Sequence, residues 1–207
     1  MNYYLDFDNT LYETSRLSND MLKGLAYEIS KKTSISENDI FDELKSMFNR
    51  ENIYNIYKLA KFFAKKYNIE ESILIDKVED IILDGKKYVY DDVISFLKEL
   101  KEKNHIINVL TYVAKEDLSY QLTKIKGSGL SEYFDNIIIS SSLKFNLDLK
   151  YEEGIFFDDS PKDLLGLASR NPKILVRVRR EKNKYSKQEL DIKNLVECKT
   201  LKDYILA

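Results

Sequence analysis

Histidine and cysteine are nearly missing from this chain, with His105 and Cys198 the single examples of each. A lone cysteine excludes an intramolecular disulfide and suits a reducing cytosol. A lone histidine excludes a metal cluster built on imidazoles and weakens any catalytic triad that needs one, so acid–base work falls to carboxylates. A strong charge of either sign is also lacking: 33 basic and 35 acidic side chains leave a formal net charge of -2. No global field of the kind that attracts nucleic acid or an anionic membrane follows from that balance. No apolar run approaches the roughly 20 residues that span a bilayer. Asp6 and Asp8 interrupt the first segment where a signal peptide would have its apolar centre. The expectation is a cytoplasmic protein without membrane or nucleic-acid partners, its oligomeric state unread. What is present, 43% hydrophobic and 12% aromatic residues over 207 positions, suffices for a core domain with a smaller insertion.

The hydrophobic rhythm changes along the chain. Tyr3-Tyr4-Leu5-Asp6-Phe7-Asp8 reads as a short buried strand that delivers carboxylates at its end. From about Tyr12 to Gly85 the spacing is helical. Four apolar faces stand out there: Met21/Leu22/Leu25/Ile29, Ile40/Phe41/Leu44/Met47/Phe48, Ile53/Ile56/Ala60/Phe63 and Ile75/Val78/Ile81/Ile82. Ser36 with Asp39 three positions on predicts a helix N-cap. After Gly85, strands and helices alternate. Helix Val93–Leu100 precedes strand Ile106–Thr111. A helix from about Lys115 is expected to be capped near Gly127. Strands follow at 136–140, 154–158 and 174–178, with a helix opening at Ser160-Pro161 between the last two and a closing helix at 201–206. The predicted fold is α/β: a Rossmann-like parallel sheet formed by residues 1–11 and 86–207, interrupted by an inserted α-helical domain at 12–85.

In an open parallel sheet, ligands gather beyond the carboxyl ends of the strands. Those ends carry Asp6 and Asp8, Thr111, Ser140, and Asp158 with Asp159. Residues two apart in extended backbone point the same way, so Asp6 and Asp8 share a side. Several carboxylates at one place repel by roughly 4 kcal/mol per pair at 4 Å even at an effective dielectric near 20. A hard divalent cation relieves that repulsion, and an all-oxygen donor set suits Mg²⁺.

The motifs resemble those of the haloacid dehalogenase (HAD) superfamily, subfamily I-like. Asp6-Phe7-Asp8-Asn9-Thr10-Leu11 is similar to its first motif, Thr111 at the end of Ile107-Asn108-Val109-Leu110 to its second, and Gly154 to Pro161 to its acidic fourth. The order and strand context agree across essentially the whole chain, and residues 12–85 resemble a C1-type helical cap. The resemblance implies a Mg²⁺-dependent phosphohydrolase acting on a small phosphorylated metabolite or nucleotide. Asp6 would be the nucleophile forming an aspartyl phosphate, Asp8 the general acid and then base, and Thr111 the holder of phosphoryl oxygens. Mg²⁺ would sit on Asp6, the Asp8 carbonyl, Asp159 and, directly or through water, Asp158. The family's third-motif lysine lacks its usual landmark; Lys144 is the choice and Lys150 the rival. Tyr112 departs from the asparagine-like neighbour usual after the second motif. Thr10 is expected to brace the loop.

Other residues read as structural. His105 is a surface turn residue, Cys198 a semi-buried thiol, Tyr54, Tyr57 and Tyr67 helix packing, and the basic stretch Arg177 to Lys187 a solvated loop. Tyr12 and Glu13, directly after the first motif, are placed at the pocket mouth. A second carboxylate at Asp8 argues against haloacid dehalogenation. Two alternatives stay open: a phosphomutase with the same nucleophile, and a binding module that has lost catalysis.

Overall fold

The computed structural model of the chain describes residues 1–50, 55–181 and 183–204. It divides into two compact units, Met1–Glu13 with Val89–Ala207, and Thr14–Tyr88. The first is a doubly wound α/β unit. Its six strands are β1 (Asn2–Leu5), β2 (Ile106–Tyr112), β3 (Asn136–Ser140), β4 (Gly154–Asp158), β5 (Ile174–Val178) and β6 (Leu195–Cys198). They lie in the order β3-β2-β1-β4-β5-β6, every pair parallel. From β1 the chain winds outward through β2 and β3, then returns to lay β4 against the other side of β1. The strand order therefore reverses between β1 and β4, the place where a sheet of this kind opens a crevice at its carboxyl edge.

Side-chain alternation explains how both faces are covered. Tyr4 and Phe156 face one layer, stacked at 4.6 Å, and join Tyr151, Leu110, Leu164, Leu167 and Leu175 in a buried cluster. Their neighbours Tyr3 and Phe157 face the opposite layer, where Phe157 meets Phe96 edge-on at 5.4 Å. The covering helices are α5 (Val93–Glu102), α6 (Leu118–Gly127) and α7 (Pro161–Ala168), numbered after the four of the other unit.

That helical unit contains α1 (Thr14–Ser30), α2 (Glu37–Arg50), α3 (Ile56–Tyr67) and α4 (Glu71–Leu83). Helix α1 packs on α2 and α4, and α3 on α4. Met21, Leu22, Leu25 and Ile29 are buried on α1, Ile40 and Leu44 on α2, and Leu74, Val78 and Ile82 on α4. Ser36 caps α2, its hydroxyl accepting from the Asp39 amide at 3.2 Å. Asn55 caps α3 in the same manner through Tyr57, and Asn68 ends that helix in the left-handed region at φ 52°. Tyr67 donates to Glu43 at 2.5 Å. Ile53 and Tyr54 lie outside the described residues. Among the described residues, no helix is long and apolar enough to cross a membrane.

Five details differ from the sequence reading. Strand β6 was not foreseen. Gly127 is the last residue of α6 rather than its cap, and the left-handed position falls on Gly129 at φ 71°. The C-terminal segment forms a single 3-10 turn, Leu201–Asp203, closed by a capping box between Thr200 and Asp203; residues 205–207 lie outside the described residues. His105 does sit at a helix-to-strand turn, but it is half-buried and stacks on Tyr3 at 5.0 Å. Finally, among the described residues Arg177 to Lys187 is only partly solvated: Glu181, Lys184 and Lys187 are exposed, but others are not. Arg177 and Arg180 are buried because each has an acidic partner, Glu197 at 2.9 Å and Asp92 at 2.9 Å.

Candidate active site

Strand β1 stops at Leu5, but the Asp6 amide still donates to the Phe157 carbonyl at 2.9 Å, so Asp6 leaves the sheet beside the end of β4. The chain then curls tightly. Asn9 takes φ 60°, a conformation asparagine tolerates better than most side chains, and the Phe7 carbonyl accepts from the Leu11 and Tyr12 amides. Phe7 and Tyr12 anchor the curl by stacking at 4.9 Å. Tyr12 is fully buried, which corrects its placement at a pocket mouth. Arg180 clamps the loop from outside: its guanidinium donates to the Thr10 carbonyl at 2.8 and 3.2 Å and to both Asp92 oxygens at 2.9 Å.

Beyond the ends of β1 and β4, Asp6, Asp158 and Asp159 each offer an oxygen within 4.8 Å of the others, all three side chains buried. Lys144 lies between two of them, its Nζ 2.6 Å from Asp6 Oδ1 and 2.6 Å from Asp158 Oδ2. It is seated by a 3-10 turn, Lys144–Asn146, after β3. The next residue, Phe145, packs so closely on α7 that a Cβ on Gly166 would come within 1.9 Å of its ring. Tyr151 donates to the Lys144 carbonyl at 2.8 Å and holds the turn from the other side. Lys150, by contrast, is exposed and pairs with Glu153 at 3.6 Å.

Burial raises the Asp6 carboxyl well above the ordinary carboxylate range; Lys144 opposes this, while Asp158, Asp159 and Asp8 add to it. Asp158 is raised by burial against the pull of Lys144. Asp159 is pushed up to about 7, by burial first and Asp158 next. Burial alone would lower Lys144, but Asp158, Asp6 and Asp163 outweigh it and hold the ammonium charged. One lysine is therefore too little positive charge for three buried carboxylates.

The oxygens left over suit a cation. Asp6 Oδ2 is buried and has no hydrogen-bond partner among the described residues. Asp159 gives Oδ2 to the buried Asn183 amide, the one side-chain hydrogen bond it accepts among the described residues. Asp158 has a hydrogen bond on each oxygen, Oδ1 accepting from the Ser160 amide at 2.9 Å and Oδ2 from Lys144. Asp6, Asp158 and Asp159 can thus all face a hard cation, Asp158 with the most competition from its own hydrogen bonds.

Asp8 and Thr111 belong to the same neighbourhood. Lys124 Nζ is 2.6 Å from Asp8 Oδ1, and Gln121 Nε2 donates to Asp8 Oδ2 at 2.7 Å and to Thr111 Oγ1 at 3.0 Å. Thr10 is fully buried, its carbonyl in the grip of Arg180.

A model of the haloacid dehalogenase-like hydrolases matches residues 3–169. The chain belongs to that family. As a HAD-like hydrolase it shares its fold with a HAD phosphatase from Thermococcus onnurineus, at TM-score 0.67 and 21% identity over 98% of this chain and 94% of that one. YfnB of Bacillus subtilis, whose structure was solved bound to magnesium, gives 0.62 and 15% over 98% and 95%. A haloacid dehalogenase-like family hydrolase from Xanthomonas campestris gives 0.59 and 15% over 98% and 87%. No curated relative matches the sequence significantly.

Reading this HAD-like hydrolase by motif missed Gln121, Lys124, Asp163, Arg180 and Asn183. Only Asp163 carried a signal, four residues beyond Asp159 and on the first turn of α7. The others meet their partners across 10 to 170 positions of chain.

The charge imbalance has a pH signature. The Asp159 carboxyl binds its proton more tightly folded than unfolded, near 7 against an ordinary 3.8. Its contribution to stability is therefore present below the lower value and lost as pH rises through the upper one, and Asp6 and Asp158 act in the same direction. Metal-free protein is expected to melt about 5 °C or more lower at pH 8 than at pH 5. Asp159→Asn should remove part of that slope; thermal denaturation in chelator at both pH values checks it.

Proposed function

We propose that this hydrolase cleaves phosphate monoesters of small molecules, with Mg²⁺ as cofactor. The observation that carries the reading is the buried Asp6–Lys144–Asp158–Asp159 cluster at the switch point of the sheet, with Asp6 Oδ2 unpartnered among the described residues. Burial strips Asp6 of water, and Lys144 orients its carboxylate toward an incoming phosphorus. An Asp6 oxygen forms the new O–P bond as the ester oxygen leaves, and Asp8 supplies the proton that the departing alcohol takes. Water then attacks the aspartyl phosphate, Asp8 takes its proton, and free phosphate departs with Asp6 regenerated. Because Gln121 donates to Thr111 Oγ1, the Thr111 hydroxyl keeps its own proton for a phosphoryl oxygen. Mg²⁺, held by Asp6, Asp159 and the Asp8 carbonyl, would neutralise charge gathering on the phosphoryl group. Asp158 would serve by fixing Lys144.

The helical unit, inserted between the first and second strands, is assigned the role of cap and of substrate selector. A hard cation is supported by the carboxylate donor set, and by the fold shared with a protein solved with magnesium. The test is a panel of small phosphate esters assayed for phosphate release with Mg²⁺ and with chelator. Metal-dependent release from at least one member is expected. Formation of a phosphate isomer in place of free phosphate would make the protein a mutase. Inertness across the whole panel, equal with and without metal, would favour a binding module.

A further inference from the structure

Asp8 has two proton transfers to make, and its carboxylate must be aimed for both. We infer that Lys124 and Gln121, one turn apart on α6, are positioning residues that fix the Asp8 carboxylate and tie it to Thr111, an inference that rests on the phosphohydrolase reading.

Three observations carry it. The first is cost. Lys124 is 4% exposed and Gln121 fully buried, and a buried ion is a poor source of stability, since an apolar side chain of similar size often does as well or better. Lys124 pairs with Asp8 at 2.6 Å, joining the loop after β1 to a helix 116 positions away.

The second observation is geometry. Positions three apart on a helix share a face, so the ammonium and the amide reach the same carboxylate, one on each oxygen. A carboxylate held through both oxygens cannot rotate about its last bond. The second hydrogen of Gln121 Nε2 goes to Thr111 Oγ1 at 3.0 Å, so one amide sets the distance between the proton-transfer group and the phosphoryl-binding hydroxyl.

The third is the orientation of that amide. Gln121 Oε1 is buried without a hydrogen-bond partner among the described residues, an arrangement that costs stability. Turning the amide over would bring this oxygen against the Asp8 carboxylate, acceptor facing acceptor. The side chain is thus held by what its donors do for Asp8 and Thr111.

The consequence depends on the leaving group. An alkoxide must receive its proton as the P–O bond breaks, whereas nitrophenolate departs without one. Misplacing Asp8 should therefore harm alkyl esters selectively. The experiment compares kcat/KM, which reports the phosphoryl-transfer step, for an alkyl phosphate and p-nitrophenyl phosphate in wild type, Lys124→Met, Lys124→Arg and Gln121→Leu. Lys124→Met and Gln121→Leu are expected to lose about 30-fold or more on the alkyl ester and about threefold on the nitrophenyl ester. Lys124→Arg should recover part of the difference. Equal losses on both esters, or none on either, would overturn the inference. A crystal structure of Lys124→Met decides independently of turnover. A displaced Asp8 carboxylate supports positioning, and an Asp8 rotamer identical to wild type removes it. If wild type itself releases no phosphate, the phosphohydrolase reading falls, and the Asp8 rotamer alone judges the inference.

Discussion

Asp6→Asn is expected to abolish turnover, by about 10³-fold or more in kcat, while leaving the fold intact. The amide has nearly the shape of the carboxyl but cannot form the O–P bond, so any residual rate would come from binding and from water attacking directly. The structural cost is small because Lys144 keeps Asp158 as its counter-ion at 2.6 Å. The change also removes a buried carboxyl that its surroundings resist ionising. Without metal, the variant should therefore melt at or above the wild-type temperature. A second readout separates loss of the nucleophile from loss of binding. Wild type rapidly quenched during turnover should carry covalent phosphate that hydroxylamine releases, and the variant should carry none. A variant that kept a tenth of wild-type kcat would move the nucleophile elsewhere, and with it the whole assignment of the site.

How much of this was readable beforehand divides along the range of the interactions. Strands β4 and β5 were legible as apolar runs because a strand buried on both faces needs little else, and the edge strand β3 because three successive isoleucines, Ile137 to Ile139, mark it in spite of its exposure. Strand β6 was not, because Leu195–Cys198 is an edge strand whose Val196 and Glu197 are exposed, leaving no pattern to count. The helices at 14–30 and 37–50 were readable from spacing alone. The closing helix was read from a short apolar run, although the segment from Lys199 to Asp203 spends its hydrogen bonds on a capping box.

The site shows the same division. Asp6, Asp8, Thr111, Asp158 and Asp159 stand at strand ends, where local pattern marks them. The choice between Lys144 and Lys150 had little local basis in a lysine-rich chain. What separates them is tertiary: Phe145 against Gly166 and Tyr151 beneath the turn bury one, and nothing comparable holds the other. Arg180 and Asn183 were misread for a related reason. A basic stretch looks solvated in sequence, yet here its members find Asp92, the Thr10 carbonyl and Asp159 far off in the chain. Buried polar side chains are specified by partners that no window of sequence contains.

Lys144→Met should be the most damaging single change to stability in the α/β unit. It removes the one cation 2.6 Å from both Asp6 and Asp158 and leaves carboxylates whose oxygens lie within 4.8 Å of one another. Breaking a buried pair by deleting one partner typically costs about 3–5 kcal/mol, which for a chain of this size is about 6–20 °C in Tm. Three features make the effect specific to charge. The loss should shrink at low pH, because carboxyls already raised by burial take up protons and stop repelling. It should shrink on adding Mg²⁺, which replaces the missing positive charge, so the metal should raise the melting temperature of the variant more than that of wild type. And adding Asp158→Asn should restore part of the stability, since the second change removes a charge the first one stranded. Lys150→Ala is the control: its side chain is 74% exposed and its contact with Glu153 is a surface pair, so Tm should scarcely move. Thermal melts of the four proteins at pH 5 and 8, with Mg²⁺ and with chelator, give every comparison. A loss at Lys144→Met that ignored both pH and metal would mean that packing around the Phe145 turn, not charge, is what the lysine supports.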